Sequence, residues 1–95
     1  MPAYVILDID VTDPDEYEGY RQRSGAIAEQ YGGLFRVRGG DPQTVEGDWA
    51  PSRIVVLEFP SSEAARAWYD SPEYQEILPL RQAAAHSRAI LVDGA

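Results

Sequence analysis

Ninety-five residues, 44% of them apolar and 25% charged, suffice for one hydrophobic core and not for two. The chain has no cysteine, lysine or asparagine, and its only histidine is His86, which excludes disulfides, thiolate nucleophiles, zinc–thiolate sites, Schiff-base lysines, P-loops and N-glycosylation sequons. Sixteen acids against eight arginines give a net charge of −8, the wrong sign for a phosphate-backbone grip, and no run of ~18 apolar residues could span a bilayer.

The first element is a strand over Tyr4–Val11. Val5, Leu7, Ile9 and Val11 form one apolar face; Tyr4, Ile6, Asp8 and Asp10 form a mixed one. Asp13-Pro14-Asp15-Glu16 then carries a helix start: a cap, a proline at the first position and a glutamate placed for a capping box. Tyr17, Tyr20, Ser24, Ile27, Ala28 and Tyr31 follow as one helical stripe, ended by Gly32-Gly33. A second strand covers Leu34–Arg38, with Phe35 and Val37 expected on the core face and Leu34, Arg36 and Arg38 opposite. Gly39–Pro42 breaks it, and Val45–Trp49 is a candidate hairpin arm. Arg53–Phe59, rich in β-branched residues, is the third strand; Val55, Leu57 and Phe59 face the core, with Ile54, Val56 and Glu58 on the other side. A second helix opens at Pro60-Ser61-Ser62-Glu63, with Ala64, Ala65, Trp68 and Tyr69 inward, and restarts at Pro72 after Asp70-Ser71. Pro79 predicts a further kink or restart before Leu80–Ala85. Arg88–Val92 is the last strand.

The order β-α-β-β-α-β predicts an α+β, ferredoxin-like domain spanning 1–95. Its four-stranded antiparallel sheet carries both helices on one face. The uncovered face would keep Tyr4, Ile6, Leu34, Ile54 and Val56 in water, an apolar patch best covered by a second copy of the chain. A homodimer is therefore expected. The polar residues of that face, Asp8, Arg36, Arg38 and Glu58, would then have to pair. The N-terminus has no basic segment ahead of an apolar run, so a cytoplasmic location is expected.

Several motifs together carry a resemblance. They are Val11–Tyr20 (VTDPDEYEGY), Gly32-Gly33, Val37-Arg38-Gly39-Gly40, Glu46-Gly47-Asp48-Trp49, Arg53–Ser61 (RIVVLEFPS) and Trp68–Tyr74 (WYDSPEY). Over essentially its whole length the chain resembles the domain of unknown function 1330 family, within the dimeric α+β barrel superfamily. The resemblance implies a ferredoxin-like protomer in a barrel-forming dimer. It implies no activity, although the wider superfamily includes cofactor-independent monooxygenases, haem-degrading enzymes, isomerases and stress-response barrels.

Arg38 and Glu58 lie within the resembling motifs and on the mixed faces of their strands. Two readings stand. In one, Arg38 binds an anion and Glu58 holds it in place or moves a proton as a base. In the other, they form a buried ion pair or a dimer contact. Tyr20, Trp68 and Tyr74 combine an apolar body with a polar tip and could shape a pocket or serve as core; Arg53 and Trp49 complete the expected ligand contacts. Trp49 alternatively anchors a surface turn. His86 is expected as a solvated histidine at a helix end, with no haem, and Asp8 with Asp10 makes only a weak cation pair. Two functions follow from these residues. One is a dimer that binds a small organic acid or aromatic compound and works on it without cofactor or metal; the other is a non-catalytic dimeric module.

Overall fold

A computed structural model describes residues 1–95. It contains β1 (Ala3–Val11), α1 (Pro14–Gln30), β2 (Leu34–Gly39), β3 (Ile54–Phe59), α2 (Ser62–Asp70), α3 (Pro72–Ala84) and β4 (Ala85–Asp93). The strands form one antiparallel sheet in the order β2-β3-β1-β4, the expected ferredoxin-like topology with the split helix drawn as two. Burial alternates along β1 and β3. Val5, Leu7, Ile9, Val55, Leu57 and Phe59 lie beneath the helices and join Tyr17, Tyr20, Ile27, Trp68, Tyr74 and Ile77 in one core. No helix is long and apolar enough to cross a membrane.

The helix ends follow the predicted chemistry. Asp13 accepts from the Glu16 amide at 3.2 Å, and Pro14 begins α1. At the other end the Gly32 amide bonds the Glu29 carbonyl and the Gly33 amide reaches back to that of Ala28, a Schellman closure that needs the left-handed φ of +83° at Gly32. Ser61 caps α2 and Ser71 caps α3. The Ser71 hydroxyl also donates to the Trp68 carbonyl at 2.7 Å. The break between α2 and α3 is therefore a stitched corner rather than a gap.

Several expectations are corrected. α3 runs through Pro79 without a restart. Both Pro79 and Gln75, whose carbonyl loses its helical partner, are exposed, so the missing bond falls on the solvent side of the helix, where it costs least. The Val45–Trp49 stretch forms no strand; residues 40–53 are an irregular connection. β4 starts three residues early, directly from the helix. Ala85 and His86 have little strand preference, but pairing with Val11 and Asp10 of β1 imposes it.

The largest correction is in β2. Phe35 pairs with Leu57, but Val37 pairs with Val56 and Arg38 with Val55, because a bulge intervenes between Phe35 and Val37. Paired residues of a ladder share a face. Arg38 therefore joins Val55 on the helix side, and Val37 moves to the uncovered side, where it is 37% exposed. There it joins Leu34, Ile90 and Val92, which are 51%, 61% and 43% exposed.

The close contact between the end of α1 and β3 yields a first prediction. A Cβ at Gly33 would stand 2.8 Å from the buried Phe59 ring and 3.0 Å from the Ala28 carbonyl oxygen. Gly33→Ala should cost roughly 1–3 kcal/mol in denaturant unfolding by overpacking, whereas Gly47→Ala, with nothing within 4 Å and only its φ of +85° to lose, should cost less.

Candidate functional site

A cleft opens between α1 and the sheet. α1 contributes Tyr17, Tyr20, Arg21 and Ser24; β1 contributes Leu7 and Ile9; β2 contributes Phe35 and Arg38; Arg53, Val55 and Leu57 come from β3 and its approach, and Trp68 from α2. The enclosed space is about 30 Å³, the volume of one water molecule. Exposed Arg38 lies flat at its rim, with its guanidinium carbon 3.8 Å from the centre of the Phe35 ring. The Arg53 guanidinium stands 5.8 Å from the Tyr17 ring centre.

The electrostatics of the lining are one-sided. It holds three arginines and no carboxylate. Arg21 is satisfied from outside the cleft by a two-pronged contact with Glu18 at 2.6 and 2.8 Å. Neither Arg38 nor Arg53 meets an acid. Two buried donors, Arg53 Nε and Trp68 Nε1, reach no acceptor. Leaving such a group unpaired costs about 1–3 kcal/mol, and both belong to residues that line the cleft.

Behind the cleft, the Tyr20 and Tyr74 hydroxyls meet at 2.7 Å, joining α1 to α3. Burial, reinforced by the neighbouring Tyr74, raises the proton affinity of Tyr20 far above that of an ordinary phenol. Burial also raises Tyr74, against the opposing charge of Arg81. Both rings stay neutral. Arg81 itself is 4% exposed and donates to the Ser87 hydroxyl at 2.8 Å. It sits in the last turn of α3, where the helix dipole favours a cation.

The structure sorts the expected site residues into two groups. Arg38, Arg53, Tyr20 and Trp68 meet at the cleft, and Tyr74 supports it from the core. Glu58 and Trp49 do not belong to it. Glu58 lies on the uncovered face and pairs with Arg36 at 3.2 Å, and that hydrogen bond holds its carboxyl below the usual range. The expected Arg38–Glu58 pair is absent, because the bulge places the two on opposite faces of the sheet. Trp49, 51% exposed, folds over the uncovered face and donates to Asp8 at 2.9 Å, and Arg88 donates to the same oxygen at 3.1 Å. Asp8 is thereby engaged as an acceptor, and Asp8 and Asp10 belong to no group of three acids or histidines placed to hold a metal ion. His86 is solvated as expected, but on a strand opposite Asp10 rather than at a helix end. Sequence reasoning left Phe35 and Ser24 out of the site and missed Arg81. The spacing Tyr74, Ile77, Leu78, Arg81 does place that arginine on the buried stripe of α3.

This arrangement defines a ferredoxin-like α+β protein with an arginine-rimmed cleft under its first helix. The chain belongs to the family described as Domain of unknown function (DUF1330), whose profile matches residues 2–95. No curated protein matches it. Among solved structures it is similar to a protein of unknown function from Rhodopseudomonas palustris, at 23% identity and a TM-score of 0.82, covering 99% of this chain and 82% of that one. It is also similar to SnoaB, a cofactor-independent oxygenase from Streptomyces nogalater, at 18% identity and a TM-score of 0.71, covering 99% and 93%. A third is a dimeric ferredoxin-like protein of unknown function from Thermobifida fusca, at 14% identity and a TM-score of 0.64, covering 99% and 92%. At these identities the likeness is one of fold.

The separation of Glu58 from the cleft can be checked by NMR titration of its carboxyl. Arg36→Ala should raise the Glu58 pKa toward that of an ordinary glutamate, while Arg38→Ala should leave it where it is.

Proposed function

We propose that the cleft beneath α1 binds a small planar organic anion. The observation that carries this reading is the lining: three arginines and no acid, in a chain with twice as many acids as arginines. Arg38 and Arg53 hold the anionic group, since an unpaired guanidinium offers a carboxylate two parallel hydrogen bonds. The rings of Phe35, Tyr17 and Tyr20 hold the flat body, and Trp68 closes the inner end. The enclosed volume admits one water, so a larger ligand enters by displacing Arg38 from its rest on Phe35.

Binding, rather than proton transfer, is the function the geometry supports best. The expected base, Glu58, is across the sheet, and the tyrosines near the cleft are held neutral. Turnover in the manner of a cofactor-independent oxygenase draws support only from the shared fold, and the ligand would have to bring its own reactive centre.

The test is calorimetric titration with 4-nitrobenzoate. Arg38→Ala and Arg53→Ala should each weaken binding about tenfold, the worth of one charge-assisted hydrogen bond, whereas Arg36→Ala on the opposite face should not change it. Full affinity in both cleft variants would overturn the reading.

We further propose that a second copy of the chain covers the open face of the sheet. Leu34, Val37, Ile90 and Val92 project from it, and four of its charges are already paired within the protomer as Arg36–Glu58 and Arg88–Asp8. Asp10, near the end of β1, is the one acid of that face without an ion pair. The dimeric state of the Thermobifida fusca protein points the same way. Sedimentation at micromolar concentration should give twice the chain mass, with about 800 Å² buried per partner. Ile90→Glu should yield the monomer.

A further inference from the structure

We infer that Gly25, in the second half of α1, provides the space into which the Arg38 guanidinium withdraws when the ring of a planar carboxylate takes its place on Phe35. The inference rests on the cleft reading above and adds to it the residue that lets the rim move.

β2 is an edge strand, so the mouth of the cleft lies between it and α1. On the strand side stand half-buried Phe35 and exposed Arg38, stacked with the guanidinium carbon 3.8 Å from the ring centre. On the helix side the stack meets Gly25. A Cβ at that position would stand 3.5 Å from Phe35 Cε2 and 3.6 Å from Arg38 Nη2. Both are ordinary contact distances, so alanine would fit the resting structure. Apart from the adjoining residues and the backbone of α1, no other atom comes within 4 Å of that point. The φ of Gly25 is not positive, so its backbone does not call for glycine either. Glycine inside a helix costs stability relative to alanine. What the missing side chain supplies here is room beside the guanidinium.

An anion clamp at this rim needs that room. At rest the guanidinium covers the Phe35 ring, and a flat ligand cannot stack there until Arg38 leaves. Arg38 must nevertheless stay within hydrogen-bond reach of the ligand's carboxylate. A swing into solvent would free the ring and lose the anion. A short sideways step toward α1 keeps both, and Nη2 already lies against the Gly25 position. The α1 residues that line the cleft, Tyr17, Tyr20, Arg21 and Ser24, all carry side chains. Arg21, one turn before Gly25, is held by Glu18. A methyl group at position 25, touching the guanidinium at rest, would close the step. Gly25 is thus a positioning residue that acts through Arg38.

The test combines thermal melts with calorimetric titration of 4-nitrobenzoate. Gly19→Ala is the control: it lies on the same helix, and its Cβ would meet only Leu80 Cδ1, at 3.8 Å. Both Gly25→Ala and Gly19→Ala should raise the melting temperature, because alanine is the better helix former. Gly25→Ala should weaken binding roughly three- to tenfold, bounded by the loss of the whole Arg38 contact, one charge-assisted hydrogen bond. Gly19→Ala should leave binding unchanged. In an Arg38→Ala background, Gly25→Ala should have no further effect, since no guanidinium remains to move. Full affinity in Gly25→Ala, with binding still dependent on Arg38 and Arg53, overturns the inference and leaves the cleft reading standing. A lowered melting temperature in Gly25→Ala also overturns it, because the glycine would then serve the resting packing. So does a loss that persists without Arg38, or one that Gly19→Ala matches. A native protein that does not bind 4-nitrobenzoate overturns both the inference and the cleft reading.

Discussion

One extra residue in β2 decides where the chemistry of this protein lies. With strict alternation Arg38 would share a face with Glu58, and the two would form a paired ion cluster on the open side of the sheet. The bulge between Phe35 and Val37 turns the last half of the strand over. It delivers a guanidinium to the helix side, where no acid waits, and sends Val37 to the open side, where it enlarges the apolar surface. The cleft's positive rim and the stickiness of the opposite face thus have a common cause.

The helix layer makes that cleft stiff on its inner side. Trp68 lies 4.3 Å from Tyr74 and 5.3 Å from Phe59, ring centre to ring centre, and Tyr20 meets Tyr74 edge-on. Such contacts add specific geometry to apolar burial. The single hydroxyl–hydroxyl bond between Tyr20 and Tyr74 fastens α1 to α3. The rim is different in kind: Arg38 is exposed and stacked on one ring. A rigid floor with a movable cationic lip lets a site keep its shape and still admit a ligand larger than its resting volume.

The two faces of the sheet share out the charges with little waste. Four of the eight arginines, Arg21, Arg23, Arg36 and Arg88, meet a carboxylate. Exposed pairs of this sort contribute little to stability, but on the open face they neutralise four of the charged groups that association would bury. Trp49 extends the same patch by bridging to Asp8 from the long connection.

The amino-acid sequence by itself determined the element order, the ferredoxin-like topology, the caps at Asp13, Ser61 and Ser71, and the apolar face of β1 and β3. All of these are encoded by residues close in the chain: a period of two, a period near 3.6, and turn residues at set offsets. It also marked Arg38, Arg53, Tyr20 and Trp68 as residues to watch. Only the tertiary structure decided which of them meet. The Phe35–Val37 bulge arises from pairing with β3 and has no signature in Leu34–Gly39 read alone. Without it, Arg38 is assigned to the wrong face and to the wrong partner. Trp49 was placed by a contact 41 residues away in the chain, and the start of β4 by the register of β1. Arg81 had the spacing of a buried residue, but that no acid pairs with it is decided only once the chain is folded.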